Sequence, residues 1–141
     1  MKYYLVLFNI LIVLNTNVAH STELTPAFAK EIGVKVERHS LPAEYNASCS
    51  IIDITSPVTL PNYSEYDELS VVVEVFSNNG VLMSSTYLYT MIDSPESHYI
   101  SSGCLPINNK HVVKVTLRYS LKEAMCAKDL SISNLEEWVI Q

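Results

Sequence analysis

Residues Leu69 to Ile92 read LSVVVEVFSNNGVLMSSTYLYTMI, and this stretch decides the fold. A β-branched run from Leu69 to Phe76 is followed by turn chemistry at Asn78-Asn79-Gly80 and by a second extended run from Val81 to Ile92, the pattern of a β-hairpin. Loop length sets the register. A two-residue Asn79-Gly80 loop would place Val73 and Val75 opposite Thr86 and Ser84. A three-residue loop would place Val71, Val73 and Val75 opposite Tyr87, Ser85 and Met83, with Tyr89 and Met91 extending the same face. A one-residue slip moves every side chain to the other face, so burial of the apolar set favours the three-residue loop, with Gly80 left-handed.

On the C-terminal side, His111, Val113, Val115, Leu117, Tyr119 and Leu121 alternate with Lys110, Lys114, Thr116, Arg118, Ser120 and Lys122, Val112 being the one exception. That is a half-buried strand. Cys126, Leu130 and Ile132 then share a face of a last strand, after which Ser133 and Glu136 could cap a short turn carrying Trp138. On the N-terminal side, Thr25-Pro26 and Gly33 punctuate one or two helical turns. Ile32, Val34 and Val36 alternate with polar residues or Gly33, the mark of a strand, and a further strand runs around Cys49 to Thr55 before Pro57 and Pro61 bracket a loop. Six or seven strands with no long amphipathic helix predict an all-β chain: an antiparallel β-sandwich of the immunoglobulin-like kind, with short helical turns near 26–31 and 134–139. No internal repeat is visible.

The chain opens on Met1-Lys2 and an apolar run from Tyr3 to Leu14, broken only by Asn9. A membrane span needs about 20 apolar residues, so this run fits a secretory signal peptide over 1–21, with cleavage after Ala19-His20-Ser21 or, as second choice, after Ala19. Residues 22–141 then form a single domain, secreted or periplasmic and not membrane-spanning. Removal of Lys2 leaves eight cations against fifteen acids, a charge of −7. Such an acidic domain is poorly suited to nucleic acid, whose binding relies on clustered cations.

Export lets disulfides persist, and Cys49, Cys104 and Cys126 allow one intramolecular bridge. If the strands at 110–119 and 126–132 form a hairpin, Cys126 and Cys104 fall at its opposite ends, too far apart to bond. Cys49 is then the partner of one of them: Cys49–Cys104 is favoured because Cys104 lies in a Gly103-Cys104-Leu105-Pro106 turn that can adapt, and Cys49–Cys126 is the alternative. Either closes a loop of more than fifty residues, worth roughly 3–4 kcal/mol by chain entropy.

Enzyme templates are absent from the sequence. Gly33, Gly80 and Gly103 are its only glycines, too few for a phosphate cradle. There is no Gly-x-Ser-x-Gly elbow, no His-Glu-x-x-His and no Cys-x-x-Cys, and His39, His98 and His111 are widely separated. The reading is a non-enzymatic protein with no catalytic residue, metal or cofactor. Charge, however, is segregated. No Lys or Arg lies between Arg38 and Lys110, a stretch holding eight acids, whereas Lys110, Lys114, Arg118 and Lys122 form a possible interaction stripe. The same alternation would also serve simply to blunt an edge strand. Tyr63 and Tyr66, beside Asp67 and Glu68, form a possible recognition loop. Asn46 and Asn62 satisfy the N-glycosylation pattern, which matters only in a eukaryotic source.

These features favour a secreted or periplasmic binding module acting on a protein partner. A carrier of a lipid or other apolar ligand between two sheets is the alternative. The order Cys49, Ile54-Thr55-Ser56-Pro57, the Val71–Ser77 strand, Cys104-Leu105-Pro106, the Val113–Tyr119 strand and Cys126 is similar to that of the secreted MD-2-related lipid-recognition domains. Those domains usually hold six cysteines over a longer span; three are missing here, and no ligand residue is carried over. A third reading is a self-assembling, pilus-like subunit that accepts a neighbour's strand.

Overall fold

The computed structural model describes residues 21–39, 41, 44, 49–62, 66–93, 98–106, 110–121 and 127–139. Their elements are β1 (Thr22–Glu23), α1 (Pro26–Ile32), β2 (Lys35–His39), β3 (Ser50–Pro57), β4 (Glu68–Ser77), β5 (Leu82–Tyr87), β6 (Tyr89–Asp93), β7 (His98–Leu105), β8 (His111–Ser120), β9 (Ala127–Ile132) and α2 (Leu135–Val139). The strands form a five-stranded sheet, β1-β9-β8-β4-β5, and a four-stranded sheet, β2-β3-β7-β6. The chain is mostly β, as expected, and layered as two sheets. Strand pairing is antiparallel except for β1 against β9, a parallel pair the sequence reading did not anticipate.

The alternation in β8 decides the core. Val113, Val115, Leu117 and Tyr119 are fully buried, and they pair with Val75, Val73, Val71 and Leu69 of β4 in unbroken register. Ile52 and Ile54 of β3 and Tyr99 of β7 supply buried side chains from the other sheet. Each buried Val, Leu or Ile contributes about 1.5–3 kcal/mol relative to exposure.

The hairpin corrects its expected register. The three-residue loop does form: Gly80 is left-handed at φ 76°, and the Ser77 amide donates to Val81 O at 2.9 Å. Phe76 accordingly pairs with Leu82. A bulge between Val75 and Phe76 then shifts the ladder, so Val75 and Val73 face Ser84 and Thr86, the pairing expected of the shorter loop. The reason lies in the neighbours: β4 is held in register on both sides, whereas β5 is an edge strand with only β4 beside it, so the bulge falls where nothing opposes it.

Nor is Val81–Ile92 one strand. It changes sheet at Leu88, whose amide donates to Val71 O of the five-stranded sheet at 2.9 Å, while Tyr89 already pairs with Ser102 of the four-stranded one.

Three further expectations are revised. Ile32 belongs to α1, which Gly33 ends in the left-handed conformation at φ 84°, so β2 begins only at Lys35. Cys104 lies within β7 instead of a turn. Ser133 is not the residue before α2: the helix begins at Leu135, so Asn134 takes the cap position, and its Nδ2 donates to Glu137 Oε1 at 3.2 Å. Thr25 does cap α1, its hydroxyl accepting from the Phe28 amide at 3.3 Å.

Candidate functional site

Sheet edges present unpaired backbone N–H and C=O groups, and proteins guard them with charge or brevity. Two of the four edges here are guarded. The strand β1 is two residues long, and β2 carries Lys35, Glu37, Arg38 and His39. The other two, β5 and β6, are not: from Val75 to Ile92 there is no charged side chain. Seven of the eight exposed large hydrophobic residues among those described lie on this segment, namely Val81, Leu82, Met83, Tyr87, Tyr89, Met91 and Ile92. Tyr87 and Tyr89 are 70% and 73% exposed. Because a single residue, Leu88, joins β5 to β6, the two edge strands follow one another end to end, β5 on the five-stranded sheet and β6 on the four-stranded one. An exposed apolar patch of this kind marks an interaction site more often than an inert surface.

The flank is acidic at its margins. Glu74 faces Ser85 across the β4–β5 ladder, and Asp93 closes β6. A cleft of about 420 Å³ between β4 and β6 is lined by Asp67, Glu68, Met91, Ile92 and Tyr99 among others. Tyr99 Oη donates to Asp67 O at 2.9 Å. Burial, with the carboxylates of Asp67 and Glu68 beside it, raises the Tyr99 phenol above its ordinary pKa.

The predicted cationic stripe is interleaved with acids. Lys114 and Arg118 share the outer face of β8, but Lys114 faces Glu74, and Arg118 makes a two-pronged bond to Asp129, Nε to Oδ1 at 2.8 Å and Nη2 to Oδ2 at 2.7 Å. Lys110 sits in the turn before β8, and Lys122 lies outside the described residues. Tyr66 is half-buried and packs against the core, while Tyr63 falls outside the described residues. Asn62 is exposed in a turn with a left-handed φ of 65°; Asn46, Cys126 and residues 1–20 of the predicted leader also fall outside.

The fold gathers Ser, His and Asp at one place, on β2, β3 and β7. His39 Nε2 lies 2.9 Å from Asp53 Oδ2, and Ser102 Oγ donates to Asp53 Oδ1 at 2.5 Å. The carboxylate occupies the centre, so both partners bond to Asp53 and the imidazole is not the hydroxyl's partner, as nucleophilic catalysis would require. No group of three or more potential metal ligands occurs among the described residues.

The disulfide is Cys49–Cys104, with Cα atoms 5.5 Å apart, which settles the alternative with Cys126. Cys104 pairs in the ladder with Ile51, so the bridge ties the start of β3 to the end of β7 within one sheet. Disulfides are common in extracellular proteins. Among the described residues no helix is long and apolar enough to cross a membrane.

The open flank escaped the sequence reading, although the uncharged run from 75 to 92 was visible. The expected register puts Met83, Tyr87, Tyr89 and Met91 on the buried face, yet all four are exposed, because alternation cannot distinguish a central strand from an edge. Comparison with protein-family models, with curated proteins and with solved structures finds no match to this chain.

Proposed function

We propose that the protein is an exported, non-enzymatic binding module that adds an extended segment of a partner protein to its open β5–β6 flank. One observation carries this reading: among the described residues, the edge strands β5 and β6 follow one another, carry no charge before the terminal Asp93 and, with Val81, expose seven large apolar side chains, whereas the other two edges are blunted. In strand addition the backbone groups supply hydrogen bonds and the alternate side chains supply selectivity. Charge favours a foreign strand bearing Lys or Arg over a second copy, since residues 39–109 contain no Lys or Arg and like charges oppose association.

The immunoglobulin-like assignment belongs to the same reading. With β2, β3, β7 and β6 taken as strands A, B, E and D, and β9, β8, β4 and β5 as G, F, C and C′, the two sheets follow the immunoglobulin strand order. The bridge within one sheet differs from the inter-sheet disulfide of antibody domains. Export is supported by the leader-like residues 1–21 and by the disulfide.

The test uses purified processed protein and two peptides, one alternating valine with lysine and the other valine with glutamate. The valine–lysine peptide is expected to bind, at least tenfold more tightly than its acidic counterpart. Tyr87→Lys and Met91→Lys should each weaken binding about tenfold with no change in melting temperature. Equal binding of both peptides, or indifference to both substitutions, overturns the proposal; so does concentration-dependent dimerisation without peptide binding, which would assign the flank to a second copy.

A further inference from the structure

The chain leaves the five-stranded sheet before β4 is fully covered. β4 pairs with β8 from Glu68 to Ser77, but β5 pairs with it only from Val72 to Phe76. Leu88 adds one bond, from its amide to Val71 O at 2.9 Å, and Tyr89 already belongs to the other sheet. Among the described residues, Glu68, Leu69 and Ser70 thus have a neighbouring strand on one side only.

Backbone alternation decides which groups this opens. A strand residue directs its N–H and C=O to the same side, and the next residue directs them to the other. Because Val71 O meets Leu88, the Val71 amide and both backbone groups of Leu69 face the edge that β5 has left. None of the three has a hydrogen-bond partner among the described residues. Backbone groups inside a fold are seldom left so.

This edge forms one wall of the cleft of about 420 Å³, and Met91 and Ile92 of β6 stand on the other. Ile92 pairs with Tyr99 and so shares its inward face. Tyr99 is 5% exposed, whereas Ile92 is 60% exposed. An inward apolar side chain is therefore uncovered where β5 departs. On β4, Val71 points into the core, so Glu68 and Ser70 point outward. The Glu68 carboxylate has no hydrogen bond or ion pair among the described residues.

We propose that this slot is where the partner's strand docks, taking the place β5 leaves beside Glu68–Ser70 of β4. Its backbone pairs with Leu69 and with the Val71 amide. Its side chains alternate, an apolar one turned inward over Ile92 and a Lys or Arg turned outward beside Glu68. The proposal rests on strand addition at the β5–β6 flank and narrows it to three residues of β4, about 10 Å of extended chain.

Amide hydrogen exchange, followed by NMR on the purified protein with the valine–lysine peptide, tests it. Exchange at Leu69 and Val71 should slow about tenfold, and exchange at Ser85 and Tyr87, whose amides face the outer edge of β5, should not change. Glu68→Lys should weaken binding of the same peptide about tenfold with an unchanged melting temperature. Peptide binding that slows Ser85 and Tyr87 but not Leu69 and Val71, or that ignores Glu68→Lys, overturns the slot and leaves strand addition standing. Failure of the peptide to bind overturns both. Slowing at Leu69 and Val71 that grows with protein concentration, without peptide, assigns the slot to a second copy and also overturns the proposal.

Discussion

Leu88 Cδ2 lies 2.5 Å from the position a Cβ on residue 103 would occupy. Leu88 is the residue at which the chain leaves one sheet for the other, and its side chain is buried. The hydrogen of Gly103 thus makes room for the crossover, a role of close approach distinct from that of Gly33 or Gly80, whose backbones need positive φ. Gly103→Ala should cost about 1–3 kcal/mol through overpacking, and Leu88→Ala about 2–4 kcal/mol through lost burial. In the double variant the two costs should fall short of their sum, since removing the leucine removes the clash. Urea denaturation of the four proteins measures the coupling.

Arg118 and Lys114 share a face but should differ in consequence. The Asp129 carboxylate is 9% exposed, and its partner Arg118 is half-exposed. Arg118→Ala strands a buried charge and should destabilise by about 1–3 kcal/mol. Lys114→Ala removes an exposed-face cation and should fall within about 0.5 kcal/mol of the parent. Equal effects in thermal unfolding would assign Arg118 the same surface role as Lys114.

The pH profile should fail at both ends for identifiable reasons. Burial raises the Tyr119 phenol far above its ordinary pKa of 10.0, and its Oη donates to Pro57 O at 2.9 Å. An acid whose folded pKa is raised contributes stability that is complete below the unfolded pKa and lost as pH climbs past it. Stability should therefore decline above pH 10. Tyr119→Phe should flatten that decline while costing about 1 kcal/mol at neutral pH. At the acid end, burial opposes ionisation of Glu23, but hydrogen bonds from Ser133 and Ser131, with Lys114 nearby, outweigh it and lower the pKa below 4.5. That contribution is present above the unfolded pKa and lost as pH falls through the folded one, so Glu23→Gln should flatten the acid limb. Denaturation midpoints across pH check both signs.

Reducing Cys49–Cys104 should cost roughly 4 kcal/mol in the chain-entropy estimate for a sequence separation of 55. The Cys49→Ser, Cys104→Ser double variant should show a similar loss, and Cys126→Ser none of it. Loss of stability confined to Cys126→Ser would contradict the bridge.

Local periodicity and backbone sterics made the β elements of the chain legible. Alternation in residues 111–121, the punctuation of α1 by Thr25 and Gly33, and the left-handed Gly80 turn are local consequences of period and backbone sterics, and each took its expected form. The favoured Cys49–Cys104 pairing is the one that forms, but strand length excluded only Cys104–Cys126, and the turn expected at Cys104, which decided against Cys49–Cys126, is part of β7. Tertiary structure alone decided which strands became edges. Val73 and Tyr87 both belong to alternating runs, yet one is fully buried and the other 70% exposed, because burial on a sheet depends on having a neighbour on each side and no neighbour is encoded within the strand. The same long-range pairing placed the crossover at Leu88 over Gly103 and joined Arg118 to Asp129.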